Sequence, residues 1–492
     1  MLSGPAVAEL PGDARWLCTA ALALAAASVG YAIHIRDGEF WPEALKWITV
    51  ALLLTIAGVA LPRVPDRRRW GGRIVVASLA AAVVFQFIQL LNSPPGGWNW
   101  WSNDVRDLGW ANLRPFYAGV TAAAFLSAGL VLDSRPMRAV CLPLLFATHF
   151  ALGVWMIRAS PLPNIDVFAF QQIGPEALLA KKNPYAVEMP DIYHGTQQER
   201  DRAVYGQGLA ADGKLKFGFP YPPLSLFFAT AGYEVMGDHR YAQLVALTLA
   251  GILVAYCRPG RNAALAAVLL LFTPREFFIL GRGWTEPFVV VTLAATLFCA
   301  CRKIPLLPVA LGLLLASKQY MVFALPACYL LLPRPTRWRD ATVLIGGAVL
   351  TALIVSLPLV LWDWRAFAHS AGTVQKLAPF RDDALSYLVA INYRWGVHGV
   401  PVLGRLGMQP DVATGFVAML LGMALALWRC PRDPAGFAAA LAMIYLPFIA
   451  FNKQAFANYY LFVIAALCCA VAAAAENGAR RDDAVRGAAG AG

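Results

Sequence analysis

Long apolar runs separated by short polar connections dominate the chain. A helix crosses a bilayer core with about 20 apolar residues, and runs near this length lie at about 16–34, 44–62, 73–91, 114–132 and 139–158. Further runs follow near 240–257, 263–280, 287–301, 340–361, 410–428, 435–451 and 458–474. With a tighter hairpin at 304–333, the pattern predicts an all-α polytopic membrane protein of about fourteen spans.

One apolar stretch, 224–236, departs from this pattern because its roughly thirteen residues are short for a crossing. If the stretch crossed, Arg258 and Arg261 would lie outside. If it does not cross, they and every later basic cluster lie inside, as the positive-inside rule requires. We therefore expect a half-helix that enters the membrane from the outer side and begins at Pro222-Pro223.

The long polar loop 159–222 precedes this stretch, on the predicted outer side. Asp166 is its first acid, placed where a span meets water. Residues 166–180 read as a short helix with an acidic N-cap, broken at Gly174-Pro175, and 181–185 as a turn. From residue type alone, an aspartate at a helix start is more often a cap than a catalytic base.

Composition and charge support the membrane assignment. Only 14% of residues are charged, whereas a soluble protein carries about a quarter. The net charge of +12 could suit a nucleic-acid binder, but the arginines cluster in short connections such as 63–73 and 334–339. Basic connections of this kind are typical of cytoplasmic loops, so the predicted partner is a lipid bilayer and not a nucleic acid.

Charged and aromatic side chains gather at the predicted outer ends of the spans. Arg275 and Glu276 are adjacent in an apolar run, where a charge costs about 2.5–3.5 kcal/mol, so each needs a partner or a cavity unless Arg275 snorkels outward. Lys318 lies at the tip of the short hairpin, so we expect it near the floor of an outer cavity, binding an anion or the carbonyls of its own turn. The predicted binding residues are Tyr221, Arg275, Arg282, Glu286, Lys318, Lys453, Asn458 and Tyr459.

Common catalytic signatures are absent from the sequence. It contains no Walker loop, no GxGxxG and no HExxH. His149 lies within a predicted span, and we interpret it as a packed or hydrogen-bonded histidine rather than a metal ligand.

The polar loop resembles a known family more closely than its chemistry alone would indicate. The stretch IDVFAFQQIGPEALLAKKNPY at 165–185, followed by PYPP at 220–223, is similar to the first outer loop of GT-C glycosyltransferases. The family it resembles most is glycosyltransferase family 87, which includes polyprenol-phosphate-mannose-dependent mannosyltransferases. The resemblance covers about residues 139–475 and is strongest in this loop.

The resemblance implies a reaction and a set of roles. A polyprenyl-phosphate sugar, mannose or another, would be the donor, and a lipid-linked or cell-envelope glycan the acceptor. Asp166 would act as general base in an inverting transfer, and Glu286 would be an acid of the second outer loop that contacts the acceptor or a metal. Lys453, Asn458 and Tyr459 would line the outer rim. The DxD pattern of metal-dependent relatives is absent at Asn164-Ile165-Asp166, so no metal and no other cofactor are expected.

These expectations divide the chain into four parts. An N-terminal module of four spans (1–138) would precede a GT-C-like catalytic core (139–361), and 362–475 would hold an outer loop with an interfacial helix and the last spans. The tail 476–492 would be a disordered cytoplasmic segment. The protein would lie in the inner (plasma) membrane with its active site on the periplasmic or outer face. A transporter or flippase of lipid-linked sugars, and an inactive scaffold of the same fold, are the alternatives.

Overall fold

The computed structural model describes residues 13–62, 64–65, 70–96, 109–132, 134–196, 204–395 and 412–474. Within these ranges the chain is a bundle of α-helices with a few two-residue strands. The predicted tail 476–492 lies outside the described residues. The all-α membrane class is confirmed, because the long helices are apolar enough to cross a bilayer.

Long helices come first: α1 (Trp16–Ile35), α2 (Pro42–Ala60), α3 (Gly71–Asn92), α4 (Gly109–Val131) and α5 (Arg135–Ala159). Strand β1 (Asp13–Ala14) pairs antiparallel with β2 (Val64–Pro65). The polar loop then holds α6 (Asp166–Leu179), β3 (Met189–Pro190), β4 (Ala210–Ala211) and β5 (Lys214–Leu215), with β5 between the other two strands.

The second half is also helical. It begins with α7 (Pro223–Met236), α8 (Arg240–Cys257), α9 (Arg261–Leu271), α10 (Glu276–Arg282), α11 (Glu286–Arg302) and α12 (Leu307–Ser317). A 3-10 segment (Gln319–Leu331) leads to α13 (Trp338–Trp362), which contains a π-helical turn at Thr342–Gly346. The segment after α13 carries α14 (Trp364–Phe367), a π-helical turn (Ala368–Thr373), α15 (Val374–Leu377) and α16 (Tyr387–Trp395). The chain continues with α17 (Val412–Arg429), α18 (Pro434–Ala450) and α19 (Ala457–Ala473).

The number of spans depends on helix length. Six described helices are long and apolar enough to cross a bilayer, or up to seven when the bent pair α9–α10 counts as one span. Other apolar helices are shorter, since α18 and α19 have 17 residues each and α12 has 11. The count of about fourteen spans therefore stays a prediction.

The predicted span near 263–280 consists of two helices bent by 47°, because Pro274 has no N–H to continue the helical hydrogen bonds. One local prediction was wrong. The predicted break at Gly174-Pro175 is absent, and α6 continues to Leu179. Gly174 lies so close to Phe219 that an added Cβ would come within 2.7 Å of its ring, so packing against this ring stabilises the helix despite the proline.

Two arginines form hydrogen bonds at the opposite ends of α8, and these contacts show which elements lie at each end of the bundle. The Arg240 guanidinium at the start of α8 donates to the Ser160 carbonyl after α5 at 2.6 Å and to the Gly281 carbonyl of α10 at 2.9 Å. At the other end of α8, Arg302 donates to the Tyr256 carbonyl at 2.8 Å. The 18 residues of α8 separate the two ends by about 27 Å.

Helix α7 lies at one end of the bundle. It has 14 residues, fewer than the roughly 20 that a crossing needs. It begins after Tyr221, whose carbonyl accepts from the Tyr185 hydroxyl at 2.8 Å, and it ends at Gly237, whose carbonyl accepts from Gln172 of α6 at 3.5 Å. Both ends of α7 thus lie beside the polar loop, which agrees with the predicted non-crossing segment.

The N-terminal helices pack directly on the rest of the bundle. Helix α1 is rich in buried alanine and contacts α2, α3, α9 and α19. Small residues of this kind let helix backbones approach closely in a bilayer. The loop after α1 is consequently held at the end of the bundle that also carries Asp166.

Candidate functional site

A cavity of about 770 Å³ opens at the end of the bundle that carries the polar loop. Its walls include the start of α6, residues of the polar loop outside its strands, the end of α10, the 3-10 segment and the start of α19. Most lining side chains are apolar or aromatic, and acids and bases are interspersed among them. The predicted residues that line it are Asp166, Tyr221, Arg282, Lys318, Lys453, Asn458 and Tyr459.

Asp166 is the first residue of α6, and Ile165 holds the N-cap position in place of the predicted aspartate. The Val167 amide donates to Asp166 Oδ1 at 2.8 Å, and the Asp166 amide donates to the Tyr193 hydroxyl oxygen at 3.3 Å. Burial raises the pKa of the Asp166 carboxyl above its ordinary value, against the lowering effects of the Val167 amide and the Arg381 guanidinium. A carboxyl with a raised pKa binds a proton more tightly, which suits a group that must accept one.

The two parts of the family-like sequence meet behind Asp166. The Tyr185 hydroxyl donates to the Tyr221 carbonyl at 2.8 Å, and the Phe219 amide donates to the Pro184 carbonyl at 2.9 Å. Ser370, in the π-helical turn after α14, donates to the Tyr185 carbonyl at 2.9 Å. These bonds fix the position of Tyr221, whose ring faces the cavity.

Lys318 and Glu286 form a buried ion pair at the wall of the cavity. The Lys318 ammonium lies 2.5 Å from Glu286 Oε1 and donates to the Thr285 hydroxyl at 2.6 Å. Tyrosine rings surround the ammonium, with centroids 5.1 Å away for Tyr221 and 5.4 Å for Tyr459. Glu286 is the first residue of α11, fully buried, so it acts on the cavity through Lys318. Lys318 is thus held by an acid as well as by the rings.

Arg275 is not part of the cavity wall. Its Nε lies 2.6 Å from Asp37 Oδ1, and its Nη1 and Nη2 donate to the Pro94 carbonyl at 3.0 Å and the His34 carbonyl at 3.2 Å. The partners come from the ends of α1 and α3, so Arg275 joins the N-terminal helices to the core. Its predicted substrate contact has no geometric support, since buried partners occupy the guanidinium.

Glu276, the neighbour of Arg275, is paired inside the bundle. The His149 Nε2 lies 3.2 Å from Glu276 Oε1, and the His149 Nδ1 lies 2.9 Å from the Thr248 hydroxyl. Neither side chain of the His149–Glu276 pair is exposed. The interpretation of His149 as a hydrogen-bonded histidine is confirmed.

Arg381, which sequence reasoning missed, is a cation of the cavity wall. Its Nε and Nη2 donate to the two carboxylate oxygens of Asp383 at 2.9 and 2.7 Å, and its guanidinium lies 5.0 Å from the Phe456 ring centroid. Arg282 lies one turn after Phe278 on the same face of α10, 5.5 Å from the ring centroid. Lys453 donates to the Ala378 carbonyl at 2.5 Å. The wall therefore combines several cations with the Asp166 carboxylate.

Sequence reasoning also missed Asp37, Glu39, Tyr193 and Tyr205 among the lining residues. The tyrosines lie in a loop without periodicity, and burial raises the pKa of both hydroxyls, so they remain neutral hydrogen-bonding groups. Asp37 and Glu39 follow α1, in the module that the resemblance does not cover. The sequence signal for Asp37 and Glu39 was that two acids follow the apolar run of α1.

Comparisons with known proteins add nothing to the geometry of the site. Among the described residues, no group of three His, Cys, Asp or Glu side chains is placed to hold a metal ion. No protein-family model, curated protein or solved structure matches the chain.

Proposed function

We propose that the protein is a membrane glycosyltransferase that moves a sugar from a polyprenyl-phosphate donor to a lipid-linked or cell-envelope glycan. The observation that carries the proposal is the Asp166 carboxylate in a 770 Å³ cavity that also presents Arg282, Arg381, Lys318 and Lys453. A base and several cations are the groups that transfer from a phosphate leaving group requires. The substrate class follows from the resemblance of the 165–185 loop to family 87.

The size and lining of the cavity fit a lipid-linked substrate. Cavities of about 300–1,000 Å³ hold small-molecule ligands, and this one has 770 Å³. Aromatic side chains such as Phe278, Phe323 and Phe448 are part of its lining, and they offer an apolar surface for an isoprenoid chain. The cations that lie among them match a phosphate.

The proposed transfer needs one base and one leaving-group site. Asp166 accepts the proton of the acceptor hydroxyl while the hydroxyl oxygen attacks the anomeric carbon, and the bond from that carbon to the phosphate oxygen breaks. The electron pair of that bond leaves with polyprenyl phosphate. Attack from the face opposite the leaving group inverts the anomeric centre. General-base catalysis of this kind is worth about 10²–10⁴ in rate.

The cations would bind the phosphate of the donor. Arg282 and Arg381 are planar forks that can contact two phosphate oxygens at once, and Lys318 and Lys453 add compact charges. Charge on the leaving oxygen grows during the transfer, so a fixed cation beside it stabilises the transition state more than the bound donor. Mannose is the sugar that the resemblance favours, although the same arrangement would serve another hexose or a pentose.

The arginine-rich connections support an active site on the outer face of the inner membrane. Arg302 contacts the end of α8 remote from the cavity, and Arg261 donates to the carbonyl of Val131 at 3.1 Å at the end of α4. Basic connections favour the cytoplasmic side, which leaves the cavity on the periplasmic or outer side. Nucleotide sugars stay in the cytoplasm, whereas a polyprenyl-phosphate sugar can be presented outside.

The strongest competing function is a flippase of lipid-linked sugars, which would share the cavity but needs no base. Purified protein in proteoliposomes is incubated with undecaprenyl-phosphate mannose carrying radiolabel in the sugar. A membrane extract of the cells in which the protein occurs supplies acceptors, and Asp166→Asn protein is the control. We expect labelled glycan and free undecaprenyl phosphate from the wild type, with or without a metal chelator. Transbilayer movement of intact donor without release of undecaprenyl phosphate would favour the flippase. If neither occurs with mannose or other sugars, an inactive scaffold is favoured.

A further inference from the structure

A second cavity, of about 380 Å³, adjoins the main one. Gln319 and Lys376 line both cavities, so the two spaces meet at these side chains. The second cavity lies between the start of α7, the start of the 3-10 segment and the segment that follows α13. The residues that line it without lining the main cavity are Pro222, Phe367, Ala368, Ala371, Gly372 and Thr373.

The lining of the second cavity is mostly apolar and includes one cation. The Gln319 side-chain amide is already bonded, since it donates to the Pro220 carbonyl at 2.8 Å and to the Ala371 carbonyl at 3.1 Å. The Thr373 hydroxyl donates to a carbonyl of its own helical segment at 3.4 Å. Lys376 is exposed, and among the described residues its ammonium has no hydrogen-bond or ion-pair partner. An ammonium beside an apolar space matches an amphiphile with an anionic head group.

The second cavity lies close to the end of α13, where apolar side chains face outward. Leu357 and Leu361 in the last turns of α13 are 40% and 75% exposed. Trp362 ends α13 and Trp364 begins α14, and both are exposed. Tryptophan is enriched at the boundary between a bilayer and water. Phe367 of the second cavity follows one turn later, which favours a position for this cavity at the depth of lipid head groups.

A polyprenyl-phosphate donor has to reach both the main cavity and the bilayer. Its sugar must lie near Asp166, whereas its isoprenoid chain must return to the bilayer because water disfavours apolar surface. The second cavity offers such a route, since it joins the main cavity at Gln319 and Lys376. Lys376 also adjoins another cation of the main cavity, because the Lys453 ammonium donates to its carbonyl at 3.3 Å. The phosphate links the sugar to the chain, so the junction of the two cavities suits it.

We propose that the second cavity holds the first isoprene units of the donor and that Lys376 binds the donor phosphate at the junction of the two cavities. The inference rests on the proposed function. It adds a site for the lipid part of the substrate, on which the chemistry of Asp166 does not depend.

Gly372 allows the second cavity to be filled without a clash. An added Cβ at Gly372 meets no atom within 4 Å, so Gly372→Trp places a ring in the open space. Gly72→Trp at the start of α3 is the matched control, because a Cβ there is equally unobstructed and Gly72 lies away from both cavities.

Dissociation constants of undecaprenyl phosphate and of undecaprenol, the same chain without the phosphate, are measured for the full-length protein in nanodiscs. We expect Gly372→Trp to weaken binding of both lipids about tenfold, because the ring occupies the space of the chain and apolar burial is lost. Gly72→Trp should stay within twofold of the wild type for both lipids.

Lys376→Met tests the contact with the phosphate, since it keeps an unbranched side chain and removes the charge. Binding of undecaprenyl phosphate should weaken about tenfold, because a charge-assisted hydrogen bond is lost. Binding of undecaprenol should stay within twofold of the wild type. Lys46→Met is the matched control, because Lys46 is 73% exposed and pairs with Glu43 on α2.

The outcomes separate this inference from the proposed function. Unchanged binding in Gly372→Trp, or equal losses in Gly372→Trp and Gly72→Trp, would overturn the second cavity as the chain site and leave the glycosyltransferase intact. Equal losses for both lipids in Lys376→Met, or none, would contradict the phosphate contact. A wild type that binds neither lipid would overturn the proposed function itself. If the melting temperature shows that Gly372→Trp does not fold, Gly372→Leu gives the same comparison with a smaller side chain.

Discussion

At the scale of single residues, backbone hydrogen bonds fix the position of Asp166, and burial raises the pKa of its carboxyl. Its carboxylate accepts from the Val167 amide at the start of α6, and burial raises its pKa despite Arg381. The charged form of this group is therefore less stable in the folded protein than in water. Such a cost is typical of a residue kept for chemistry rather than for stability.

Asp166→Asn keeps the size of the side chain and removes its basicity. We expect kcat with undecaprenyl-phosphate mannose to fall at least about a hundredfold, because general-base catalysis is lost. At neutral pH the melting temperature should equal or exceed that of the wild type, since a desolvated charge is removed. Near-normal turnover of the purified variant would exclude Asp166 as the base.

The pH dependence of the wild type gives an independent check on Asp166. Its pKa in the folded protein is raised above the ordinary 3.8, so the carboxyl's contribution to stability is present below 3.8 and is lost as the pH rises through the raised value. The ionised form is the base, so kcat/KM should fall as the pH drops through that same raised pKa. An acidic limb at or below 3.8 in the kcat/KM profile would contradict this assignment.

Lys318 requires a double variant, because its ion pair with Glu286 is buried. Lys318→Met alone would leave Glu286 as an unpaired buried charge and lower stability whatever the catalytic role. Lys318→Met/Glu286→Gln removes both charges. If Lys318 stabilises the leaving phosphate, this double variant should fold and show kcat and kcat/KM lowered together by about 10²-fold.

Glu286→Gln is the matched control, since it keeps the cation beside the cavity. It leaves the buried Lys318 ammonium without its acid, so its melting temperature should fall and turnover is compared per folded protein. It should retain most of the turnover that the double variant loses. If instead the folded double variant turns over as fast as Glu286→Gln, then Lys318 serves only the structure of the cavity wall.

At the scale of elements, helix lengths and arginine positions predict how the chain crosses the membrane. Helix α7 ends at Gly237 with a left-handed φ of 73°, and this turn lets α8 begin at the same end of the bundle. Arg240 then bonds to the carbonyls of Ser160 and Gly281. The result is a helical pair in which only α8 has the length to cross.

Cysteine labelling tests this topology. Cys299 and Cys301 are the partly exposed native cysteines of the described residues, so both are changed to serine. A single cysteine is then introduced at Asp212 or at Pro259, which lie before α7 and after α8. In intact spheroplasts we expect an impermeant maleimide to label Asp212→Cys only, because α7 does not cross. Labelling of both positions, with disrupted membranes as the positive control, would mean that α7 spans.

The sequence predicts elements better than it predicts contacts between them. The start of α6, the short α7 and the burial of Lys318 follow from local patterns of apolar length and turn residues. The pairing of Lys318 with Glu286 and of Arg275 with Asp37 does not, since the partners come from different helices and no local period encodes which helices meet. Arg381 was missed for the same reason, because its place at the cavity depends on Asp383 and on the loop after α1.

At the scale of the whole molecule, one buried ion pair joins the N-terminal helices to the core. Arg275 and Asp37 are both nearly buried and 2.6 Å apart. Removing one partner of a buried pair typically costs about 3–5 kcal/mol, whereas removing both is much less harmful. Arg275→Met should therefore lower the melting temperature in detergent clearly, and Asp37→Asn/Arg275→Met should recover most of the loss.

The exposed Glu43–Lys46 pair provides the comparison. Its atoms are 2.7 Å apart, but its side chains are 49% and 73% exposed, so Lys46→Met should change the melting temperature little. Equal effects of Arg275→Met and Lys46→Met would show that the Arg275–Asp37 pair does not hold the two parts together.

The packing of Gly38 on Ala457, where an added Cβ would lie 2.3 Å from the Ala457 backbone nitrogen, has a consequence for biosynthesis. The cavity uses Asp37, which follows α1, and Tyr459 of α19, and the backbones that carry them touch. A nascent chain with α19 still inside the ribosomal exit tunnel therefore has no complete cavity, although α1 and α6 have already been synthesised. The cavity is completed only when α19 packs against α1, so its walls close late in the folding of the chain.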